Sequence, residues 1–176
     1  MRSWRPVIFA IAIMVTFFIA VVPALSSGAA AKAGLAQAQK AARKWKADAA
    51  LVSIFAGTSN MDGTADKWAY MFYSPKVKKG YTVQVQNGRI VETLEVRGHI
   101  KNPLGDEFID SPKAMAEAKK NGLKVKGQPV MSLLIMGQAT KNPAAYWTVG
   151  GGFTSGEVSI RIDAKTGKFI MRQEVK

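Results

Sequence analysis

The stretch from Val158 to Ile170, VSIRIDAKTGKFI, predicts a β-hairpin and with it the class of fold. Val158, Ile160 and Ile162 alternate with polar side chains, which is typical of a strand with one buried face and one solvated face. The following Asp163–Lys168 stretch predicts a tight turn, because Gly167 adopts a positive φ without strain. A final strand is predicted to run to Val175, so the sequence indicates an antiparallel sheet.

An earlier part of the chain has the same pattern. Residues 81–85 alternate in the same way, and Asn87-Gly88 is a strong signal for a two-residue hairpin. The return strand is predicted over residues 89–96. The even separations of Ile90, Leu94 and Val96 predict that these three side chains share one face.

The two halves of the chain follow one plan: a helix, an apolar strand ending in glycine, an aromatic strand with tryptophan, an alternating strand, a glycine turn and a last strand. Leu51–Gly57 matches Met131–Gly137, and Trp68 matches Trp147; separations between matched residues stay between 77 and 80. This agreement of order and spacing favours an internal duplication. Generic patterning of two α+β units is the alternative.

Two helices are predicted. The first spans Ala29 to about Ala50, and its apolar positions recur at helical spacing: Leu35, Ala38, Ala42, Trp45 and Ala49. The second spans Ser111–Gly122, with Ser111 as the N-cap, a proline in the first turn and Gly122 at the left-handed C′ position.

The second-half helix SPKAMAEAKKNG, the strand AYWTV and the hairpin VSIRIDAKTGKFI resemble PepSY-like, cystatin-like modules of exported bacterial proteins. The first half departs from this pattern, because Gln86-Asn87-Gly88 replaces the Asp-x-x-Thr-Gly turn. The resemblance implies an α+β fold of two tandem helix-plus-antiparallel-sheet units, at 29–96 and 110–176, joined by a linker at 97–109. It also implies an extracytoplasmic binding or inhibitory module, in some cases linked to peptidases, and it brings no catalytic residues.

The N-terminal segment is uncharged from Val7 to Val22 and follows Arg2 and Arg5. Small residues follow it, so residues 1–26 are predicted to be a secretory signal peptide or a retained single-pass membrane anchor. Both alternatives place the body outside the cytoplasm, in the periplasm or at the cell surface. The candidate membrane segment includes Val7, Phe9, Ile11, Phe17, Phe18 and Val22.

The composition argues against catalysis. The chain has no cysteine and one histidine, His99, so a thiol nucleophile or a multi-histidine metal site cannot form. The acidic cluster Asp106, Glu107 and Asp110 lacks the spacing of a calcium loop and is predicted to be solvated. The glycine-rich stretch 150–156 is followed by Glu157, whereas a phosphate loop requires a lysine at that position. We expect no enzyme activity, no cofactor and no bound metal.

The net charge is +13, and it is +11 without the two N-terminal arginines. Eight basic residues are predicted to form a candidate surface for an anionic partner: Lys40, Arg43, Lys44, Lys76, Lys78, Lys79, Lys119 and Lys120. Lysine predominates and the body is predicted to be exported, so an acidic protein, an anionic lipid or a wall polymer is favoured over nucleic acid. A charged, solvated surface without a dedicated partner is the alternative.

Two functions follow as hypotheses. The first is a non-catalytic binding or regulatory module outside the cytoplasm that restrains a peptidase or an envelope enzyme. The second is a single-pass accessory subunit of a larger membrane complex.

Overall fold

The computed structural model describes residues 28–97, 102–136, 144–151 and 154–176. The elements in these ranges are α1 (Leu35–Trp45), β1 (Ala50–Ala56), β2 (Lys67–Ser74), β3 (Lys79–Gln86), β4 (Arg89–Arg97), α2 (Ser111–Lys120), β5 (Val130–Met136), β6 (Ala144–Gly150), β7 (Val158–Asp163) and β8 (Phe169–Glu174). The predicted strands therefore form close to their predicted bounds.

The strands form one antiparallel sheet in the order β4-β3-β2-β1-β5-β6-β7-β8. The predicted fold class, two tandem helix-plus-sheet units, is wrong, because strand pairing continues from β1 into β5. Residues Ser53–Ala56 pair with Met131–Leu134 in an unbroken register. Two separate sheets would each expose a further edge with unpaired backbone groups, and the β1–β5 pairing removes both of those edges.

The core lies on one face of this sheet. A row of side chains that crosses six paired strands is fully buried: Val83, Tyr70, Ile54, Leu133, Trp147 and Ile162. α1 packs on β2 and β3, α2 packs on β6 and β7, and the buried residues of both helices belong to the same cluster. Trp68 and Trp147 meet edge to face in its centre, with ring centroids 6.2 Å apart.

The opposite face carries the alternate side chains of the same strands, and we call it the open face. Its central row runs through Thr82, Met71, Ser53, Leu134 and Tyr146, all of them half-buried. Phe55 on this face is 46% exposed. The period-two pattern of the strands is thus explained by helices that cover one side of the sheet within the described residues.

α1 begins later than predicted, at Leu35 rather than Ala29. The preceding residues are held by the rest of the fold: Ala29 and Ala65 exchange two backbone hydrogen bonds of 3.0 Å. Ala31 is fully buried; its N–H donates to the Ser111 hydroxyl at 2.9 Å, and its carbonyl accepts from the Tyr70 hydroxyl at 2.7 Å. We call residues 28–34 the N-terminal clasp. These tertiary contacts override the helix propensity of the alanines.

The N-cap of α2 is Asp110 rather than the predicted Ser111. The Asp110 carboxylate accepts from the Ser111 N–H at 2.8 Å and from the Lys32 N–H at 3.0 Å. The Ser111 hydroxyl is therefore free to serve Ala31 in the core. The other end of α2 confirms the prediction, since Gly122 has a φ of +81°.

Both predicted hairpin turns form. Asn87 and Gly88 have φ values of +50° and +69°, as a two-residue hairpin requires. The prediction that Ile90 shares a face with Leu94 is wrong, because the pairing shifts between Gln84 and Val85. This bulge places Ile90 opposite the buried Val85, whereas Leu94 lies opposite Thr82 on the open face.

Candidate functional site

The predicted basic residues of α1 lie on the outer side of the helix. Ala38 and Ala42 face the core and are fully buried, which leaves Lys40, Arg43 and Lys44 exposed. None of these three cations takes part in an ion pair among the residues that the structure describes. Arg43 and Lys44 also occupy the last turn, where the helix dipole favours positive charge.

The turn between β2 and β3 brings Lys76 and Lys78 beside the end of α1. Asp48, three residues after the helix, joins the two elements: the Ser74 hydroxyl lies 2.9 Å from both carboxylate oxygens, and the Lys76 N–H donates at 3.0 Å. Burial alone would raise the pKa of Asp48, but the hydrogen bonds from Lys76 and Ser74 lower it. The fold therefore joins two of the predicted patches, and we call Lys40, Arg43, Lys44, Lys76 and Lys78 the α1 basic surface.

Lys79 is not a free cation of this surface. Its ammonium pairs with the Glu95 carboxylate, which also accepts from the Trp45 indole N–H at 3.0 Å. The hydrogen bond from Lys79, followed by that from Trp45, lowers the pKa of Glu95. The Trp45 ring stacks on Tyr81 with centroids 4.8 Å apart and planes 8° apart. This cluster fixes the end of α1 against β3.

The third predicted patch, Lys119 and Lys120, lies elsewhere. It ends α2, which packs on β6 and β7, whereas α1 packs on β2 and β3. Five strand spacings separate β3 from β7 in the sheet order, which is about 24 Å at ~4.8 Å per strand. Lys120 also lies 3.5 Å from Glu117, on its own helix. The eight predicted residues therefore form two surfaces rather than one.

The acidic residues at 106–110 have separate structural roles. Asp106 accepts from the Gln39 amide at 3.1 Å, Glu107 pairs with Lys165 at 2.9 Å, and Asp110 caps α2. The hydrogen bond from Lys165 lowers the pKa of Glu107. Among the described residues there is no group of three or more acidic, histidine or cysteine side chains that could hold a metal ion. His99 lies outside the described residues.

Glu157 is a buried acid whose structural role the sequence does not indicate. It is 4% exposed, and its carboxylate accepts from the Lys126 N–H at 2.9 Å and from the Thr154 N–H at 3.2 Å. The hydrogen bond from Lys126 is the largest influence and lowers the pKa of Glu157. A Cβ at Gly151 would overlap the Glu157 carboxylate, so this glycine leaves room for it. Glu157 joins two loops, which is a role in folding rather than in phosphate binding.

The candidate membrane residues Val7, Phe9, Ile11, Phe17, Phe18 and Val22 all lie outside the described residues. Within the ranges that the structure describes, neither helix has the length and apolar character needed to cross a bilayer.

Comparison with protein-family models gives no match, and comparison with curated proteins gives none either. Among solved structures, the fold is similar to the crystal structure of a "putative lipoprotein" from Clostridium difficile 630, with a TM-score of 0.53 and 12% sequence identity. The alignment covers 77% of this chain and 89% of that chain. At this identity the likeness shows a shared fold.

Proposed function

We propose that this protein is a non-catalytic binding module that works outside the cytoplasm and presents the α1 basic surface to an acidic protein. The observation that carries the proposal is the convergence of two basic patches on one end of α1. Five cations stand there together, and Asp48 holds the two elements in place. A fixed cluster of exposed charges attracts an oppositely charged partner and orients it during encounter.

The location outside the cytoplasm has two supports. The N-terminal segment has the pattern of an export signal or anchor. The protein of similar fold from Clostridium difficile bears the description of a lipoprotein, a class anchored to membranes by lipid. Determining the N-terminal sequence of the native protein tests this part. A chain that begins near Ser27 supports export with cleavage, a chain that begins at Met1 in the membrane fraction supports an anchor, and an intact chain in the cytosol contradicts the proposal.

The finer proposal is that the acidic partner is a peptidase or another envelope enzyme, which this protein restrains. Its support is the resemblance of the second half to PepSY-like modules, together with the exposed cations. The experiment compares the full chain with two triple variants that each remove three positive charges. One is Lys40→Gln/Arg43→Gln/Lys44→Gln on the α1 basic surface, and the control is Lys67→Gln/Arg89→Gln/Lys124→Gln, at exposed positions outside that surface.

Each protein is used to capture partners from an envelope fraction, and the peptidase activity of that fraction is measured with and without it. We expect the wild type and the control variant to lower a peptidase activity and to retain the same acidic protein, while the α1 variant does neither. Salt should weaken the retention, because exposed charges are screened. Equal loss in both variants, or no effect of the wild type, contradicts the proposal.

The same variants distinguish a lipid from a protein. Flotation with vesicles of phosphatidylcholine alone and with added phosphatidylglycerol measures attraction to an anionic membrane. Binding to the anionic vesicles through the α1 basic surface, without a retained protein, would favour a membrane surface as the partner and contradict the protein proposal.

The accessory-subunit hypothesis remains a second proposal. Its support is the N-terminal clasp: Ala29 is already paired with Ala65, and five residues separate Gly28 from Val22. If residues 7–22 stay in the membrane, the body is held close to the bilayer surface. Co-purification of the intact chain with a membrane complex in mild detergent supports this role, and recovery of the chain alone contradicts it.

A further inference from the structure

Within the described residues, the outer edge of the sheet at β8 is open. β8 is the last strand in the sheet order, and in this part of the chain it pairs with β7 alone. All six of its residues are exposed, and Phe169, Ile170 and Met171 are 42%, 46% and 37% exposed. An exposed edge strand with apolar side chains is a template for another extended chain.

The backbone groups that face this edge can be assigned from the pairing. The Val175 N–H donates to the Glu157 carbonyl at 2.9 Å, so Val175 points its backbone toward the β7 side. In an antiparallel strand the direction of these groups alternates from residue to residue. The N–H and carbonyl groups of Glu174 therefore face outward, and so do those of Arg172, because the inward-facing Gln173 separates the two residues.

α2 lies beside β8 on the core side of the sheet. Near the start of β8, the Cε atom of Lys113 lies 3.3 Å from the position that a Cβ at Gly167 would take. Farther along, the Nε atom of Arg172 lies 3.9 Å from the position of a Cβ at Gly122. Helix and strand thus run side by side in the same direction, and α2 packs on β6 and β7. We call the space over the core-side face of β8, between α2 and the free edge of the strand, the β8 groove.

The β8 groove is positively charged. Lys113 and Arg172 lie beside it, and Lys168 precedes the strand. Glu174 pairs with Arg172 at 3.4 Å, and on α2 Glu117 pairs with Lys120 at 3.5 Å, so these four charges cancel. Within the described residues Lys113 has no ion pair. The excess of cations favours an occupant that carries carboxylates.

The other edge of the sheet lacks this preference. β4 carries Arg89 and Arg97 together with Glu92 and Glu95, so its own charges cancel. Glu95 is also held by Lys79 and Trp45. The charges of β8 itself, Arg172 and Glu174, also cancel, so β8 differs through Lys113 and Lys168, which have no ion pair within the described residues.

We propose that the β8 groove binds an extended, acidic peptide segment of another protein, which adds a ninth strand to the sheet. The outward backbone groups of Arg172 and Glu174 would bond to the main chain of the peptide. Alternate side chains of the peptide would then lie on the α2 side: an acidic one near Arg172, another near Lys113 at the start of the strand, and an apolar one near Phe169. This site stands apart from the α1 basic surface and does not depend on the proposed function.

The test uses the full chain in nanodiscs of zwitterionic lipid and a capped octapeptide of alternating valine and glutamate as the probe. Binding is measured by fluorescence anisotropy of the labelled peptide, and hydrogen exchange of the protein amides locates the site. We expect binding that weakens with salt, with new protection at Arg172 and Glu174. The same peptide with lysine in place of glutamate should not bind.

Two matched variants separate backbone pairing from charge. Glu174→Ala and Glu174→Pro remove the same carboxylate, but only the proline removes the outward N–H, and an edge strand tolerates proline there. We expect Glu174→Ala to bind at least as tightly as the wild type and Glu174→Pro to bind about three- to tenfold more weakly than Glu174→Ala, the effect of one lost hydrogen bond. Lys113→Gln should weaken binding, while Lys40→Gln on α1 should not.

Three results would overturn the proposal. The first is the absence of peptide binding to a wild type that is shown to be folded by circular dichroism. The second is equal affinity of the Glu174→Ala and Glu174→Pro variants. The third is protection of Arg172 and Glu174 without peptide, together with a dimer in sedimentation, because a second copy of the chain would then occupy the edge.

Discussion

Replacing Ser111 by alanine removes the hydroxyl that accepts the Ala31 N–H at 2.9 Å. Both residues are fully buried, so water cannot take over this hydrogen bond. A buried amide left without a partner costs about 1–3 kcal/mol. Replacing Tyr70 by phenylalanine removes the other partner of Ala31, at 2.7 Å from its carbonyl, and should cost about 1–2 kcal/mol.

The two effects should not add. Both hydrogen bonds serve Ala31, so once the N-terminal clasp has opened in one variant, the second substitution has little more to remove. We therefore expect the double variant to lose less than the sum of the single losses, about 2–3 kcal/mol in all. The measurement is the free energy of unfolding in urea for the wild type, both single variants and the double variant. At ~2–4 °C per kcal/mol, melting temperatures should fall by several degrees for a chain of this size.

Tyr73→Phe serves as the control for the loss of a phenol. Tyr73 lies half-buried on the open face of β2, so this variant should stay within about 0.5 kcal/mol of the wild type. Hydrogen exchange at Ala31 should also become faster in Ser111→Ala. Additive losses, or a Ser111→Ala variant as stable as the wild type, would refute the view that Ala31 is clamped from both sides.

Three further predictions concern the core and the Glu157 contact. The lowered pKa of Glu157 means that its ionised form stabilises the fold above its unfolded pKa of about 4.3, and this contribution is lost as the pH falls through the lower folded pKa. The stability difference between the wild type and Glu157→Gln should therefore shrink as the pH is lowered below the unfolded pKa; a constant difference in urea unfolding would contradict this. Gly151→Ala should destabilise strongly, by about 2 kcal/mol or more, because the added Cβ would overlap the Glu157 carboxylate; a neutral effect on the melting temperature would show that the loop adapts. Leu133→Ala should cost about 2–5 kcal/mol in unfolding free energy, whereas its neighbour Leu134→Ala on the open face should cost about 1 kcal/mol; equal costs would contradict a sheet covered on one face.

The local elements could be predicted from the sequence because their signals are local. Period-two patterns place the strands, and Asn87, Gly88 and Gly167 adopt the positive φ values that the turns require. The sequence predicts that α1 begins six residues too early. No local sequence signal shows that Trp68, Tyr70 and Ser111 hold residues 29–31 in another conformation. The C-terminal end of α1 was also predicted too late.

The candidate surface could be predicted only in part. The exposure of the lysines follows from their charge, but which of them form ion pairs does not. Glu95 lies 16 residues from Lys79, and only the β3–β4 hairpin brings them together. The junction of the α1 and β2–β3 patches depends on Asp48, which has no distinguishing sequence context. Predicting the β8 groove would require knowing which strand lies at the edge of the sheet.

Local signals in the sequence are enough to predict the alternation of most strands, the two hairpin turns, the C-terminal end of α2 and the excess of positive charge. These properties depend on neighbouring residues, whose alternation, backbone freedom and charge act over a few positions. Three features follow only from the tertiary structure: the pairing of β1 with β5, the joining of the strands into one sheet, and the grouping of the basic residues. The pairing of β1 with β5 joins residues about 80 positions apart, where burial of edge backbone and apolar side chains outweighs any local preference.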